Sequence, residues 1–462
     1  MSAPARIGVL GLARSGRAAA KLALASGSAV FASDAGRSDE VREAASEIRR
    51  LGGEAETGGH SVERLAQCDR IVLSPGIPPD APILNDPRLS DARWTSELEF
   101  AFQHLDSPVV AVTGTNGKTT VTAWIEHLLR SAGIDAVAAG NIGTALSEAA
   151  LRDPPPEWVV VEASSYQLGR IETFSPRVGV VTNLAPDHLD RYPDVASYYA
   201  DKAHLFDNAR PHSTWVLNGE DEEVLRLAGD ARGRRLTFRV ESEPASSETG
   251  AWRDGEGRLL LRVMREDRLL VHEDELRLLG RHSRANALAA ALAAHAVVGD
   301  TAALREGLRS FAPMKHRLEP LGEAQGVLWV NDSKATNVAS ARVAIESMDR
   351  PTVLLLGGRA KGEDFSRLGD VVEGRVKAIV AYGEAAERIE LDLGDRARVV
   401  TQEGPFRGVV WRARELASPG DAVLLAPACA SFDMFRDYED RGRQFARLVA
   451  ELSEGALGVE RG

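Results

Sequence analysis

Between Pro108 and Trp124 the chain runs from an apolar stretch, Val109 to Val112, through Thr113-Gly114-Thr115-Asn116-Gly117-Lys118-Thr119-Thr120 and into helix-forming residues. A buried strand, a glycine turn and a helix start, in that order, offer unpaired N–H groups and the positive end of a helix dipole to an anion. Gly114 and Gly117 permit positive φ and put no Cβ between backbone and ligand, so the loop can wrap phosphate oxygens closely. Lys118 can then reach the outer phosphates, and the Thr119 hydroxyl can ligate the Mg²⁺ that travels with them. Only two residues separate the glycines, fewer than in the standard phosphate loop, so the general pattern fits imperfectly. The alternative is an ordinary strand, turn and helix with a surface lysine.

Further polar groups gather where apolar runs stop. Glu162 ends the run Trp158 to Val161 and precedes Ser164-Ser165-Tyr166-Gln167; it could hold Mg²⁺, or be a carboxylate favoured by a helix dipole. Asp187-His188-Leu189-Asp190-Arg191-Tyr192 packs two carboxylates, a histidine and an arginine into a loop after a strand, which favours a metal or substrate role for His188. Lys202, from spacing alone, reads as an ordinary helix-surface lysine. In the last third, Asn331 to Asn337, Gly357 to Gly362 and Pro427 to Asp433 each follow a strand. Three such clusters converge on one crevice rich in cationic and hydroxyl donors, suited to a dicarboxylate or phosphates. Near the N-terminus, Gly8, Gly11 and Gly16 approximate a dinucleotide fingerprint without matching it, and a second strand ends at Asp34. That arrangement fits a nucleotide-bearing ligand or simple strand–helix packing.

The elements that must position these residues alternate strand and helix, as in an α/β protein. Continuous apolar runs such as Trp158 to Val161, Val178 to Val181 and Trp215 to Leu217 fit strands buried on both faces of a mainly parallel sheet. Asp254-Gly255 and Glu256-Gly257 signal hairpins within 234–271, and an alanine-rich helix is expected from His282 to Val298. The segment Trp94 to Phe100 reads as a linker leading into helix. A chain of 462 residues at roughly 150 per domain gives about three domains. The boundaries expected are 1–97, 98–313 and 314–462. A net charge of −12 argues against a nucleic-acid surface. Two distant cysteines, Cys68 and Cys429, point to a reducing compartment, and the absence of a leader pattern or a long apolar run to a cytoplasmic protein without a membrane span.

Taken together, Gly114 to Thr120, Glu162 to Leu168, Asp187 to Tyr192, His316-Arg317 and Asn331 to Asn337, in this order along the chain, resemble the Mur ligase family. The tail Ala430-Ser431-Phe432-Asp433-Met434-Phe435 with Arg441-Gly442 is similar to its glutamate-adding branch. The resemblance implies a Rossmann-like N-terminal domain for the uridine diphosphate sugar, a central P-loop ATPase domain, and a C-terminal Rossmann-like α/β domain for the incoming amino acid. It implies ATP-dependent joining of D-glutamate to UDP-N-acetylmuramoyl-L-alanine through an acyl phosphate, in peptidoglycan precursor synthesis, by a monomer. The short phosphate loop is then the family's own variant. Residue by residue, it implies ATP contacts at Gly114 to Thr120, Asn286, Arg317 and Asp332. It implies Mg²⁺ positions at Thr119, Glu162 and His188, and a carbamylated lysine at Lys202. Catalytic roles fall to Lys118, His188 and Lys202. Sugar-nucleotide contacts fall at Ser15, Asp34, Ser74 and Asn141, and amino-acid contacts at Thr336, Lys361, Ser431, Phe432 and Tyr438. Two departures stand out. Ser283 replaces the first amide of the family's His-Asn-x-x-Asn motif, on the adenine side of the nucleotide, and Tyr438 stands where phenylalanine is frequent.

Overall fold

A computed structural model describes residues 4–77, 81–141, 143–187, 192–278, 280–312, 315–360, 362 and 364–453. Apolar β-branched runs make three sheets, and the chain divides into two compact units, 1–275 with 284–309, and 276–283 with 310–462.

The first unit holds two sheets. In the smaller, β1 (Arg6–Leu10), β2 (Ala29–Asp34), β3 (Glu54–Thr57), β4 (Arg70–Leu73) and β5 (Trp94–Ser96) lie parallel in the order β3-β2-β1-β4-β5. The larger contains β6 (Val109–Thr113), β7 (Ala136–Gly140), β8 (Trp158–Glu162), β9 (Val178–Val181), β10 (Thr214–Asn218), β11 (Arg234–Arg239), β12 (Gly250–Arg253), β13 (Arg258–Val263) and β14 (Glu266–His272). Its order is β14-β13-β12-β11-β10-β9-β6-β8-β7. β7 to β12 pair in parallel with β6 among them, and the last two strands are antiparallel hairpins. Every residue of β6 and β9 is buried, as strands covered on both faces require. One hairpin closes at Asp254 to Gly257, as the turn signals anticipate. The other closes at Met264 and Arg265, both with positive φ and neither a glycine, so no sequence signal marked it.

The second unit holds β15 (Glu319–Ala324), β16 (Val327–Asn331), β17 (Thr352–Gly357), β18 (Val376–Tyr382), β19 (Val399–Thr401) and β20 (Ala422–Leu425), in the order β15-β16-β20-β17-β18-β19. Only β15 is antiparallel. The C-terminal ends of β16, β20 and β17 are therefore neighbours, and each of the three polar clusters follows one of them.

The segment expected to be a linker is instead structured. Trp94–Ser96 pairs with β4, and the Ser96 hydroxyl accepts from Glu99 N to cap the helix Glu97–Phe102. Glu97 and Glu99 are both fully buried. Glu97 Oε1 accepts from Ser147 N at 2.7 Å and Ser147 Oγ at 2.6 Å, and burial raises its carboxyl above the ordinary range. Glu99 accepts from the backbone N–H groups of Glu172, Thr173 and Phe174, each at 3.0 Å. These two carboxylates, two residues apart on the helix and so meeting different partners, tie the chain between the two sheets to the larger one. Sequence reading missed β3, β7 and β15, which are half-polar or glycine- and alanine-rich and lack an apolar run.

Candidate active site

The loop after β6 takes the shape its glycines permit. Gly114 has φ 134° and Gly117 φ 81°. A Cβ on Gly114 would strike Thr182 Oγ1, and one on Gly117 would come to 2.5 Å from Asn286 Oδ1, so both glycines are required by close neighbours as well as by conformation. The helix Lys118–Ser131 starts directly at Gly117. The end of β9 braces the loop. Thr182 Oγ1 donates to Asn116 O at 2.6 Å, Asn183 Nδ2 donates to the same oxygen at 3.0 Å, and Asn116 N donates to Asn183 Oδ1 at 2.9 Å. Asn286, expected to meet nucleotide, thus lies against the loop itself.

Two lysines converge on the loop carbonyls. Lys118 Nζ donates to Gly114 O at 3.0 Å and Thr115 O at 2.8 Å. Lys202, on the helix Val195–Ala203, donates to Gly114 O at 2.8 Å and lies over the Tyr198 ring at 4.5 Å. It is only 1% exposed, which overturns the surface reading that spacing alone gives. Helical periodicity reports which face a residue shares; it does not report that this face meets the phosphate loop. Burial, then the neighbouring Lys118 charge, hold the Lys202 ammonium well below the ordinary lysine range.

Glu162 ends β8, the strand beside β6, and is buried. Its Oε1 accepts from Asn141 Nδ2 at 2.9 Å, and its Oε2 has no partner among the described residues. An unpaired buried carboxylate oxygen is costly and is a fit position for a cation. Thr119 is buried in the first helical turn. Among the described residues no group of three or more His, Cys, Asp or Glu side chains is gathered as for a metal. His188 lies outside the described residues, as does Lys361.

The sugar-nucleotide candidates other than Asn141 surround the turn after β1. Asp34 Oδ2 accepts from Leu12 N and Oδ1 from Gly36 N, each at 2.6 Å, and Ser74 N donates to Leu10 O at 3.0 Å. Ser15 is buried in the first turn of the helix Arg14–Ala25. A cavity of about 410 Å³ opens beside Ser74, walled also by Ser96, Tyr166, Gln167, Arg170, Tyr192 and Asp201.

In the second unit the three strand-end clusters do meet, and Arg441 joins them. Fully buried, its guanidinium donates to Ser333 Oγ at 2.9 Å, Ser333 O at 2.9 Å and Cys429 O at 3.1 Å. Asp332 N donates to Leu425 O, Ala428 N to Ala335 O, and Arg359 N to Ala430 O. Burial raises the Asp332 carboxyl to about 7 against the opposing pull of Arg317. Ser431 is buried, Phe432 is 63% exposed, and Tyr438 donates its hydroxyl to Glu439 Oε1 at 3.3 Å. Thr336 sits in the Asn331 to Asn337 turn, its N–H bonded to Lys334 O at 2.8 Å.

Comparison with known proteins shows the family. The Mur ligase middle domain matches residues 112–294, the Mur ligase glutamate ligase domain residues 316–429, and the MurD N-terminal domain residues 6–83. A UDP-N-acetylmuramoylalanine--D-glutamate ligase of Salinibacter ruber is 42% identical over 457 residues, 97% of this chain and 98% of its own. The chain belongs to the Mur ligase family. A ligase of the same name from Pelotomaculum thermopropionicum is 38% identical over 97% of this chain and 98% of its own. The solved pseudomurein peptide ligase type C of Methanothermus fervidus shares the fold at a TM-score of 0.59 and 17% identity, over 97% of this chain and all of that one. Within this Mur ligase, the bracing role of Thr182 and Asn183, polar residues legible at the end of an apolar strand, and the wall residues Arg170 and Asp201 escaped sequence reading. Thr182 and Asn183 carried the usable signal, since they end an apolar strand next to the phosphate loop.

Proposed function

We propose that this Mur ligase joins D-glutamate to UDP-N-acetylmuramoyl-L-alanine with hydrolysis of ATP, as its full-length relatives are named for doing. The observation that carries the reading is the near-complete alignment with those relatives, across all three matched domains. The acceptor carboxylate attacks the γ-phosphorus of ATP, giving an acyl phosphate and ADP. The glutamate amine then attacks the acyl carbon, and the tetrahedral intermediate expels phosphate. Both partners of the first step are anions, so their approach needs positive charge in a water-poor site. Lys118 and the N-terminus of the helix Lys118–Ser131 supply it from the protein.

Buried Thr119 and the free Oε2 of Glu162 suit a divalent cation, and we assign His188 and a modified Lys202 to the same set. A Mg²⁺ held by these residues would screen the charge between carboxylate and triphosphate. Lys202 is buried with its charged form disfavoured, so its nitrogen retains the lone pair that attacks CO₂. The amine proton leaves and a carbamate forms. Asn286, Arg317 and Asp332 serve the nucleotide; Ser15, Asp34, Ser74 and Asn141 the sugar nucleotide; Thr336, Lys361, Ser431, Phe432 and Tyr438 the amino acid. We assign residues 1–97, 98–313 and 314–462 to these three tasks, in a cytoplasmic monomer.

The test is phosphate release from ATP with UDP-N-acetylmuramoyl-L-alanine, comparing D-glutamate, L-glutamate and meso-diaminopimelate. Turnover with D-glutamate alone is expected. Turnover only with another amino acid moves the enzyme to a different step of the family, and silence with all three sinks the reading.

A further inference from the structure

The cavity beside Ser74 carries polar groups that the roles above leave unused. Its aromatic wall is the pair Tyr166 and Tyr192, stacked at 5.3 Å with rings 15° apart. Tyr192 donates its hydroxyl to Asp201 Oδ2 at 2.6 Å, which fixes the carboxylate on the wall. Gly169 makes that position possible, because a Cβ there would come within 2.7 Å of the Asp201 carboxyl. Arg170, next in the chain, also faces the cavity, and among the described residues its guanidinium has neither a hydrogen bond nor an ion pair; none joins it to Asp201. Gln167 is 2% exposed; its Oε1 accepts from Ser164 N and Oγ, and its Nε2 is buried with no partner among the described residues. A cation, an anchored carboxylate and an unused amide donor around about 410 Å³ is the donor–acceptor set of a small-molecule site. Tyr192 in turn meets the Tyr198 ring at 5.3 Å, and Tyr198 Oη lies 3.4 Å from Thr115 Oγ1, so a single aromatic layer separates the cavity wall from the phosphate loop.

We infer that Arg170 and Asp201 are a recognition pair for the sugar-nucleotide acceptor, Arg170 donating to an anionic oxygen and Asp201 accepting from a hydroxyl or amide N–H of the same molecule. This rests on the reading of the chain as a ligase of UDP-N-acetylmuramoyl-L-alanine. The anionic oxygen belongs either to the diphosphate or to the alanyl carboxylate; both are taken by a guanidinium fork.

The test compares the full-length enzyme with Arg170→Ala, Arg170→Lys and Asp201→Asn. Affinity for UDP, UDP-N-acetylmuramate and UDP-N-acetylmuramoyl-L-alanine is measured by calorimetry, beside the KM and kcat of each substrate. Arg170→Ala is expected to weaken binding of the full acceptor and raise its KM about tenfold, with Arg170→Lys recovering part, since one charge-assisted contact is lost. Asp201→Asn is expected to raise the acceptor KM several-fold. Unaltered ATP affinity in each variant checks that it has folded. Equal loss toward UDP and the full acceptor puts Arg170 on the diphosphate, and loss toward the full acceptor alone puts it on the carboxylate. Unchanged acceptor binding in Arg170→Ala and Asp201→Asn, with the parent enzyme turning over, overturns the pair and leaves the ligase reading intact. A parent enzyme that neither binds nor turns over the acceptor overturns both.

Discussion

The Lys202 amine donates to the Gly114 carbonyl at 2.8 Å from a position 1% exposed, on the loop that Lys118 also grips. Burial, then repulsion from Lys118, disfavours the charged form of Lys202. Lys202→Ala is expected to lower kcat by about a hundredfold or more, on the scale of a lost preorganised electrostatic contact. Labelled bicarbonate should give a carbamate resonance in the parent enzyme that this variant lacks; an identical spectrum in both would remove the modification from the mechanism.

Gly117 and Asn286 are fitted to each other, so Gly117→Ala should act on nucleotide first. The left-handed conformation alone costs about 1 kcal/mol for a residue with a Cβ, and the methyl would also displace the Asn286 amide. The KM for ATP is expected to rise roughly tenfold, with the acceptor dissociation constant unaltered. A variant with normal ATP kinetics would mean that the loop need not hold this shape.

Glu162→Gln keeps the bond to Asn141 within reach and removes the negative charge. The Mg²⁺ concentration for half-maximal activity should rise about tenfold or more, the cost of losing a carboxylate donor. A metal titration that overlays the parent's would take Glu162 out of the set.

Asp332 gives a stability signature rather than a kinetic one. Its folded pKa of about 7 lies above the ordinary 3.8, so both states hold the proton below that lower value, and only the unfolded chain releases it on rising toward neutrality. Its contribution to folded stability is therefore full in acid and lost as pH rises through the folded value. Asp332→Asn removes this dependence. Its urea midpoint should improve relative to the parent's between about pH 4 and about pH 7. A constant difference across that range would contradict the assignment.

Arg441→Met strips donors from two buried carbonyls at once, and each unsatisfied group costs about 1–3 kcal/mol. Marked destabilisation and a raised glutamate KM are expected together, whereas Arg443→Ala, at an exposed position on the same helix, should change neither. Denaturation curves and glutamate kinetics on both variants decide it.

Parallel strands such as β6, β8, β9 and β17 were legible because their residues are apolar on both faces, and the clusters after β16, β17 and β20 were legible because polar residues start where those runs stop. That the three clusters meet was also foreseeable from strand ends, but that one guanidinium joins them was not: Arg441 lies on the helix Tyr438–Ser453, and only the fold brings it under Ser333 and Cys429. Lys202 was misjudged on spacing for the same reason, since burial of a helix face depends on a partner distant in sequence. Arg170 and Asp201 gave no local sign, because a cavity wall drawn from separate segments has no spacing of its own.

Glu97 and Glu99 have a consequence for how such chains can be recombined. Both carboxylates come from the segment after β5, yet every partner named for them other than their own helix belongs to 147–174. A chimaera that transplants a relative's N-terminal sheet should take its crossover before Trp94, so that β5's helix travels with Ser147 and the 172–174 turn that were selected beside it. A crossover at 97/98 would separate Glu97 from its donor Ser147 and leave a buried carboxyl facing a foreign surface. The natural unit of exchange in this chain is thus set by two acidic side chains, and it begins earlier than the sheet boundary alone would suggest.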